Sequence, residues 1–573
     1  MDIDAQGSLS WRPKEEAMVR RRAARTLAVA AAAFGAAALP AEGVADAVRR
    51  APVLPDQSCL PVESEAMQAP PVEAPPVLVD GLGYAGLEPD SDNADARAWF
   101  AQGVRLVWAF DEAEAIRAFQ MAQRADPDCA LCFFGEAWAR GPTINLQPRT
   151  GELIAARAAA RRAAALADGL GERDRTLIRG MEIRTRDGDS FSNAAYASFM
   201  ETAALRLPQD DTLAVMAADA RMVASDNMRP GSLSQRLLER VLARNPGHGG
   251  AIHFYIHLTD WIDRQHLAVP HAERLGAIAP AASHLVHMPS HSFYGVGRYR
   301  DAAQVNVAAI AADRAFVRRV APPPTDYRTG LLAHNMHFAI ESALARGDGA
   351  TALDVSRQYR EEYLGGDASA VWRFLGSATW YSLGLHSPVA EVLAAPEPEA
   401  AFDKAMRHYA RGEAFARRGD AAGLRAEAAA IAALREGSDA PALGRGGAVL
   451  AEIVQHVLEG RAAMLAGDHG AAERAYRKAM ERQLRSRFGN DPPIFWYSVR
   501  RSLAAAMLAG GDARGARAQL HASLRRWPND PLALYALAQA DRALGDAAAA
   551  ERNLARARAV WAGDLAEIPL ARI

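Results

Sequence analysis

The chain has 573 residues, 66 Lys and Arg against 68 Asp and Glu, and half of its residues are apolar. That length allows several ordinary domains or one extended repeat array with a large buried core. A formal net charge of -2 lacks the basic face that nucleic acid or an acidic membrane demands, so neither is expected as a partner.

Residues 1–47 carry "MVRRRAARTLAVAAAAFGAAALPAEGVADA" from Met18 to Ala47: an arginine-rich start, an apolar run from Thr26 to Leu39, then small residues suited to cleavage. That is the pattern of an export signal, and the acidic leader ahead of it makes Met18 a better start than Met1. The apolar run falls short of the ~20 residues that span a bilayer. Cleavage is therefore expected, leaving no stable membrane span and a periplasmic or secreted product. Arg21 and Arg22 leave the general and the twin-arginine export routes both open. Residues 48–93, with "APPVEAPPVLVD", read as a proline-rich arm or linker. Cys59 follows "PDQS", which is not a lipoprotein box.

From Ala96 a spacing of 34 residues emerges. Gly103, Ala115, Phe119, Ala122 and Pro127 fall at positions 8, 20, 24, 27 and 32 of a unit whose successor starts at Ala130. A tetratricopeptide repeat needs small and large residues at those positions, because its two helices pack closely on each other and on the next pair. Weaker units start at Asp211, Gly249, Ser283, Ala333 and Ala405, and clearer ones at Ile453, Tyr497 and Pro531. The expected fold is all-α, a tetratricopeptide-repeat α-solenoid forming a right-handed superhelix of helix pairs. Its N-terminal repeats are expected over 94–345 and its C-terminal repeats over 346–573. Such arrays commonly bind a peptide or partner protein in a concave groove lined by the first helix of each unit.

Ten of the fifteen histidines lie between His248 and His337. His253 and His257 occupy positions 5 and 9 of the unit from Gly249, and His284, His287 and His291 occupy positions 2, 5 and 9 of the next. His334, His337 and Glu341 repeat those positions in the unit from Ala333. Positions 2, 5 and 9 share one helical face, the one that looks into the groove. Seven imidazoles and a carboxylate on three neighbouring helices suit a transition metal, whether copper, zinc or iron. An accessible ion in an open groove would leave a position for water or substrate, with Glu341 or Asp260 as general base of an oxidase or hydrolase. Pro289 removes a backbone donor amid the three middle histidines and is expected to alter the aim of His291 relative to His284. Two other readings stand beside this one. A scaffold would use the histidines as polar contacts to a peptide without metal, and a storage or delivery protein would share the metal site and lack turnover.

Cys129 and Cys132 lie at a repeat junction in "DPDCALCFFGEAWARGPTIN", where a disulfide, a second metal site and inert packing are all open. Glu136, Trp138 and Asn145 nearby are weaker candidates for substrate contacts. The segments "EAIRAFQMAQRADPDCALCFFGEAWARGP", "HFYIHLTD", "SHLVHMPSHSFYGVGRYRDAA" and "AHNMHF" resemble those of a group of bacterial exported tetratricopeptide-repeat proteins. These carry the C-x-x-C segment early and the "HLVHMPSH" segment in mid-chain. The resemblance covers roughly residues 95–345 and implies the repeat fold and export, with no particular activity attached. One departure stands out: relatives commonly have a histidine after Phe-Asn in the first repeat, where this chain reads Phe110, Asp111 and Glu112. That implies either a lost contribution to the site or a carboxylate in its stead.

Overall fold

Helix follows helix from Ala94 to Val560. In the computed structural model the residues described are 75–573 apart from 149, 187, 226–227, 367, 487–491 and 566–567, so the export signal and the start of the arm lie outside them. The order opens with α1 (Ala94–Trp108), α2 (Glu112–Ala125), α3 (Ala130–Ala139), α4 (Thr150–Ala165), α5 (Glu172–Arg184), α6 (Asn193–Arg206), α7 (Asp211–Ala224) and α8 (Leu233–Arg244). The histidine-bearing stretch follows as α9 (Gly249–Trp261), α10 (Val269–Ile278), α11 (Ser283–His287), α12 (Pro289–Gly295), α13 (Tyr299–Val320) and α14 (Asp326–Arg346). Next come α15 (Gly349–Tyr363), α16 (Ala370–Leu375), α17 (Ser377–His386), α18 (Val389–Ala394), α19 (Ala401–Arg418) and α20 (Ala421–Glu436). The last are α21 (Gly444–Leu465), α22 (His469–Arg485), α23 (Arg500–Ala509), α24 (Ala513–Arg526), α25 (Pro531–Ala543) and α26 (Ala547–Val560).

Neighbouring helices pack pairwise along the chain, and no strand occurs among the described residues. The chain is an all-α helical-repeat solenoid of tetratricopeptide type. Ala130, Asp211, Gly249, Ser283 and Pro531, five of the unit starts read from spacing, are the first residues of α3, α7, α9, α11 and α25. The fit of large against small residues sets the register. The Phe119 ring fills the space that a side chain at Gly103 or Gly135 would need, since a Cβ there would lie 2.7 or 2.3 Å from it. Tyr476 does the same opposite Gly460. Turns between paired helices recur as Gly-Asp: Gly419 and Gly467 take left-handed backbone, and Asp420 and Asp468 then cap α20 and α22 by accepting from backbone amides. Three apolar cores follow one another, one spanning Val79 to Phe338, one Ile310 to Ala506 and one Ala504 to Ile573. Among the described residues no helix is long and apolar enough to cross a membrane.

Two features position the site. Residues 75–93, the end of the stretch expected to be an arm or linker, lie as a strap over the N-terminal repeats. Gly81 O accepts from Ala281 N at 3.0 Å, Ala85 O from Trp108 Nε1 at 2.9 Å, and Gly86 O from Thr212 Oγ1 at 2.6 Å. The coil also turns far enough that its late repeats meet the histidine helices. Pro528 O accepts from Tyr299 Oη at 3.4 Å, Asn529 Nδ2 donates to Val296 O at 3.3 Å, and Arg526 pairs with Asp263. Trp527 packs edge-on against Tyr294 at 6.0 Å between ring centres. The groove expected to be open is closed here.

Candidate metal centre

Six of the seven histidines fall into two groups of three: His253, His257 and His284, then His287, His291 and His334. Each group takes positions 5 and 9 from one helix and position 2 from the next unit, so every group bridges two repeats. In the first, His253 Nε2 lies 3.1 Å from His257 Nε2 and 3.0 Å from His284 Nε2. In the second, His287 Nε2 lies 3.0 Å from His291 Nε2, and the His334 ring centre is 4.8 Å from that of His287. The groups abut, with ring centres 5.8 Å apart for both His257–His291 and His284–His287. The α11–α12 break leaves the aim intact, because Met288 between them keeps helical dihedrals and His284, His287 and His291 remain on one face.

The far nitrogens show which way each ring faces. His253 Nδ1 lies 2.7 Å from the carbonyl of Trp108, a C-terminal helix carbonyl with no partner inside its own helix. A carbonyl only accepts, so Nδ1 carries the proton and Nε2 presents a lone pair to the group's centre. His287 Nδ1 lies 2.7 Å from Asn306 Oδ1, whose orientation is set because Asn306 Nδ2 donates to Ala302 O at 2.8 Å. His291 Nδ1 lies 3.7 Å from Asp260 Oδ2. This backbone, amide and carboxylate support behind the rings is the arrangement that orients metal-bound imidazoles. An ion at ~2.0–2.1 Å from three nitrogens at tetrahedral angles would hold them about 3.3 Å apart. The observed separations need open by only a few tenths of an ångström.

Burial keeps His253 and His284 in the ligand form. The six triad imidazoles are between 0% and 4% exposed. Burial pushes His253 down to about 3, against the Trp108 carbonyl that favours its charged form. His284 is held well below the ordinary value by burial and by the imidazoles around it. One phenylalanine covers each group. Phe110 packs on His253, His257 and His284 at 4.4, 6.1 and 5.4 Å, and Phe338 on His287, His291 and His334 at 5.4, 5.1 and 5.6 Å between ring centres. Phe110 reaches its place with φ 55°, a left-handed backbone that a side chain of its size rarely adopts.

The remaining candidates lie elsewhere. His337 Nδ1 bonds Leu375 O at 3.1 Å and joins neither group. Glu341 is fully buried, neither oxygen has a hydrogen-bond partner, and burial pushes its carboxyl well above the ordinary range, which disfavours the ionised form a general base needs. Asp260 keeps its place beside His291, its Oδ1 accepting from Gln265 at 2.8 Å. Cys129 and Cys132 form a disulfide. Glu136 is bound up with Arg140, Gln120 and Gln123, while Trp138 packs edge-on to Trp108 at 4.8 Å. Asn145 is buried with neither amide atom bonded.

Two groups escaped the sequence reading. Asn306 and the Trp108 carbonyl act from outside the histidine helices and leave no periodic trace. Glu112 is buried with both oxygens unbonded and lines a cavity of about 50 Å³ with His284. It stands in the Phe110–Glu112 stretch, where the sequence reading left room for a carboxylate at the site.

No family model and no curated protein matches the chain. Among solved structures it is similar to a human IFIT1 dimer with m7Gppp-AAAA, at 11% identity over 83% of this chain and 92% of that one, with a TM-score of 0.28. The P58(IPK) TPR domain aligns at 14% identity over 79% of this chain and 99% of that one, TM-score 0.20. The APC/C Cut9–Hcn1 hetero-tetramer aligns at 13% identity over 83% and 88%, TM-score 0.25. The repeat architecture rests on this chain's own helix pairs, and nothing about its site is taken from these neighbours.

Proposed function

We propose that this is an exported helical-repeat protein that holds two transition-metal ions side by side, one in each histidine triad, as the centre of a metal-dependent enzyme. The observation that carries the reading is the fixed orientation of His253 and His287: each gives its Nδ1 proton to a carbonyl-type oxygen and turns a lone pair onto its triad. Without an ion, three neutral imidazoles facing one point crowd their lone pairs and protons in a space that water cannot screen. Three nitrogens per ion leave coordination positions for water or substrate, as catalytic sites require. Imidazole sites of this kind suit copper, zinc and iron. The export signal and the Cys129–Cys132 disulfide support an oxidising compartment outside the cytosol. Against a peptide-binding groove stands the burial of all seven histidines.

The test is metal analysis of protein purified from its native compartment, alongside the single variants His253→Ala and His287→Ala. About two ions per chain in the parent and about one in each variant is the expected result. Less than about 0.2 ions per chain, unchanged by either substitution, would overturn the reading.

A further inference from the structure

A cavity of about 380 Å³ opens beside the second triad, in the size range of small-molecule sites. His291 forms part of its floor, with Asp260 next to it. Its walls are the aromatic rings of Tyr294 and Phe338 from the histidine helices and Trp527 from the late repeats that close the coil. The site is thus assembled from two parts of the chain far apart in sequence.

Its lining carries charges of both signs. Two carboxylates and two guanidinium groups line it, but Asp263 and Arg526 pair with each other. That leaves Asp260 beside His291, with Oδ1 engaged by Gln265 and Oδ2 turned to the imidazole. It also leaves Arg525, exposed and in no ion pair among the described residues, as the uncompensated cation. A carboxylate accepts hydrogen bonds, flat apolar walls favour a planar ring, and a guanidinium at the edge favours an anion.

We propose that this cavity binds a single-ring phenolic acid, with its hydroxyl donated to Asp260 beside His291, its ring between Tyr294, Phe338 and Trp527, and its carboxylate toward Arg525. The inference rests on the paired metal centre for its catalytic meaning, since the cavity borders His291 of the second triad, but the binding itself uses none of the metal's coordination.

The experiment is calorimetric titration of the full chain, both chelator-stripped and metal-loaded, with para-hydroxyphenylpropanoate. Phenylpropanoate, which lacks the hydroxyl, and para-ethylphenol, which lacks the carboxylate, serve as comparisons. In the stripped protein, losing the hydroxyl is expected to weaken binding about tenfold or more, because Asp260 is left without its donor. Losing the carboxylate is expected to weaken it about two- to fivefold, the range of an exposed ion pair. Asp260→Asn should remove the preference for the hydroxyl and Arg525→Gln the preference for the carboxylate; Arg525 is exposed, so this variant should keep its helical circular dichroism. Equal binding of all three compounds, or none, in folded protein overturns the inference even when two ions are bound. Selective binding in protein that takes up no metal leaves this inference standing and removes the metal reading.

Discussion

Glu112 offers a sharp test of how the first triad's surroundings are built. It sits at the start of α2, fully buried, with neither carboxylate oxygen bonded. Burial raises its carboxyl from the ordinary 4.5 to about 8, with neighbouring Asp111 and Asp219 adding to the rise. The unfolded chain releases this proton near 4.5, whereas the folded chain holds it to about 8, so the folded state binds more protons across that window and stability falls as pH rises. At 1.36 kcal/mol per pKa unit, the interval from 4.5 to about 8 corresponds to about 5 kcal/mol lost in full once the pH passes well above 8, most of it by pH 8. Asp219, raised by burial to about 7, loses stability in the same direction. Glu112→Gln removes the first contribution: the variant should match the parent near pH 5 and exceed it by about 3–4 kcal/mol near pH 8. Peptide-resolved hydrogen exchange over α1–α3, on chelator-stripped protein and corrected for intrinsic rates, reads the local opening free energy directly. Parallel pH dependence in parent and variant would refute the assignment of a buried, proton-holding Glu112.

Asn306→Leu keeps the bulk of the side chain and removes the acceptor behind His287. It should weaken metal at the second triad about 10–100-fold and leave the first unchanged, as competition with a chromophoric chelator will show. Gly135→Ala places a methyl 2.3 Å from the Phe119 ring and should cost about 1–3 kcal/mol in urea unfolding, with Phe119→Leu restoring much of it in the double variant. Arg461 and Glu413 form an ion pair at 2.9 Å with side chains 1% and 3% exposed. Arg461→Met strands the carboxylate and should cost about 3–5 kcal/mol, and adding Glu413→Gln should recover part of that loss; equal stability of the two variants would contradict it.

The repeat register was legible because it is written in local steric pairs such as Gly103 with Phe119 and Gly460 with Tyr476. The shared face of the histidines was legible for a similar reason, since helical spacing alone places His284, His287 and His291 together. Their grouping was not. Whether His284 joins His253 or His291 depends on how far one helix pair is displaced along the next, which only packing decides. The support from Trp108 and Asn306 was equally hidden, because a backbone carbonyl carries no residue signature and Asn306 stands on α13. Phe110 shows a limit of another kind: nothing in a local pattern announces that a bulky residue will accept left-handed backbone to cover a site. The closure by the late repeats was invisible because it follows from summing small rotations over many repeats.

That closure joins residues more than two hundred positions apart, Tyr299 to Pro528 and Val296 to Asn529. Helical hairpins form from near neighbours and form early, whereas a contact between such distant residues comes late. During synthesis, the histidine wall would therefore exist for a time without the late repeats against it. If the triads hold ions, a half-wound coil would leave both of them open to uptake. A chain shortened before Trp527 would then exchange metal at the second triad faster than the full chain.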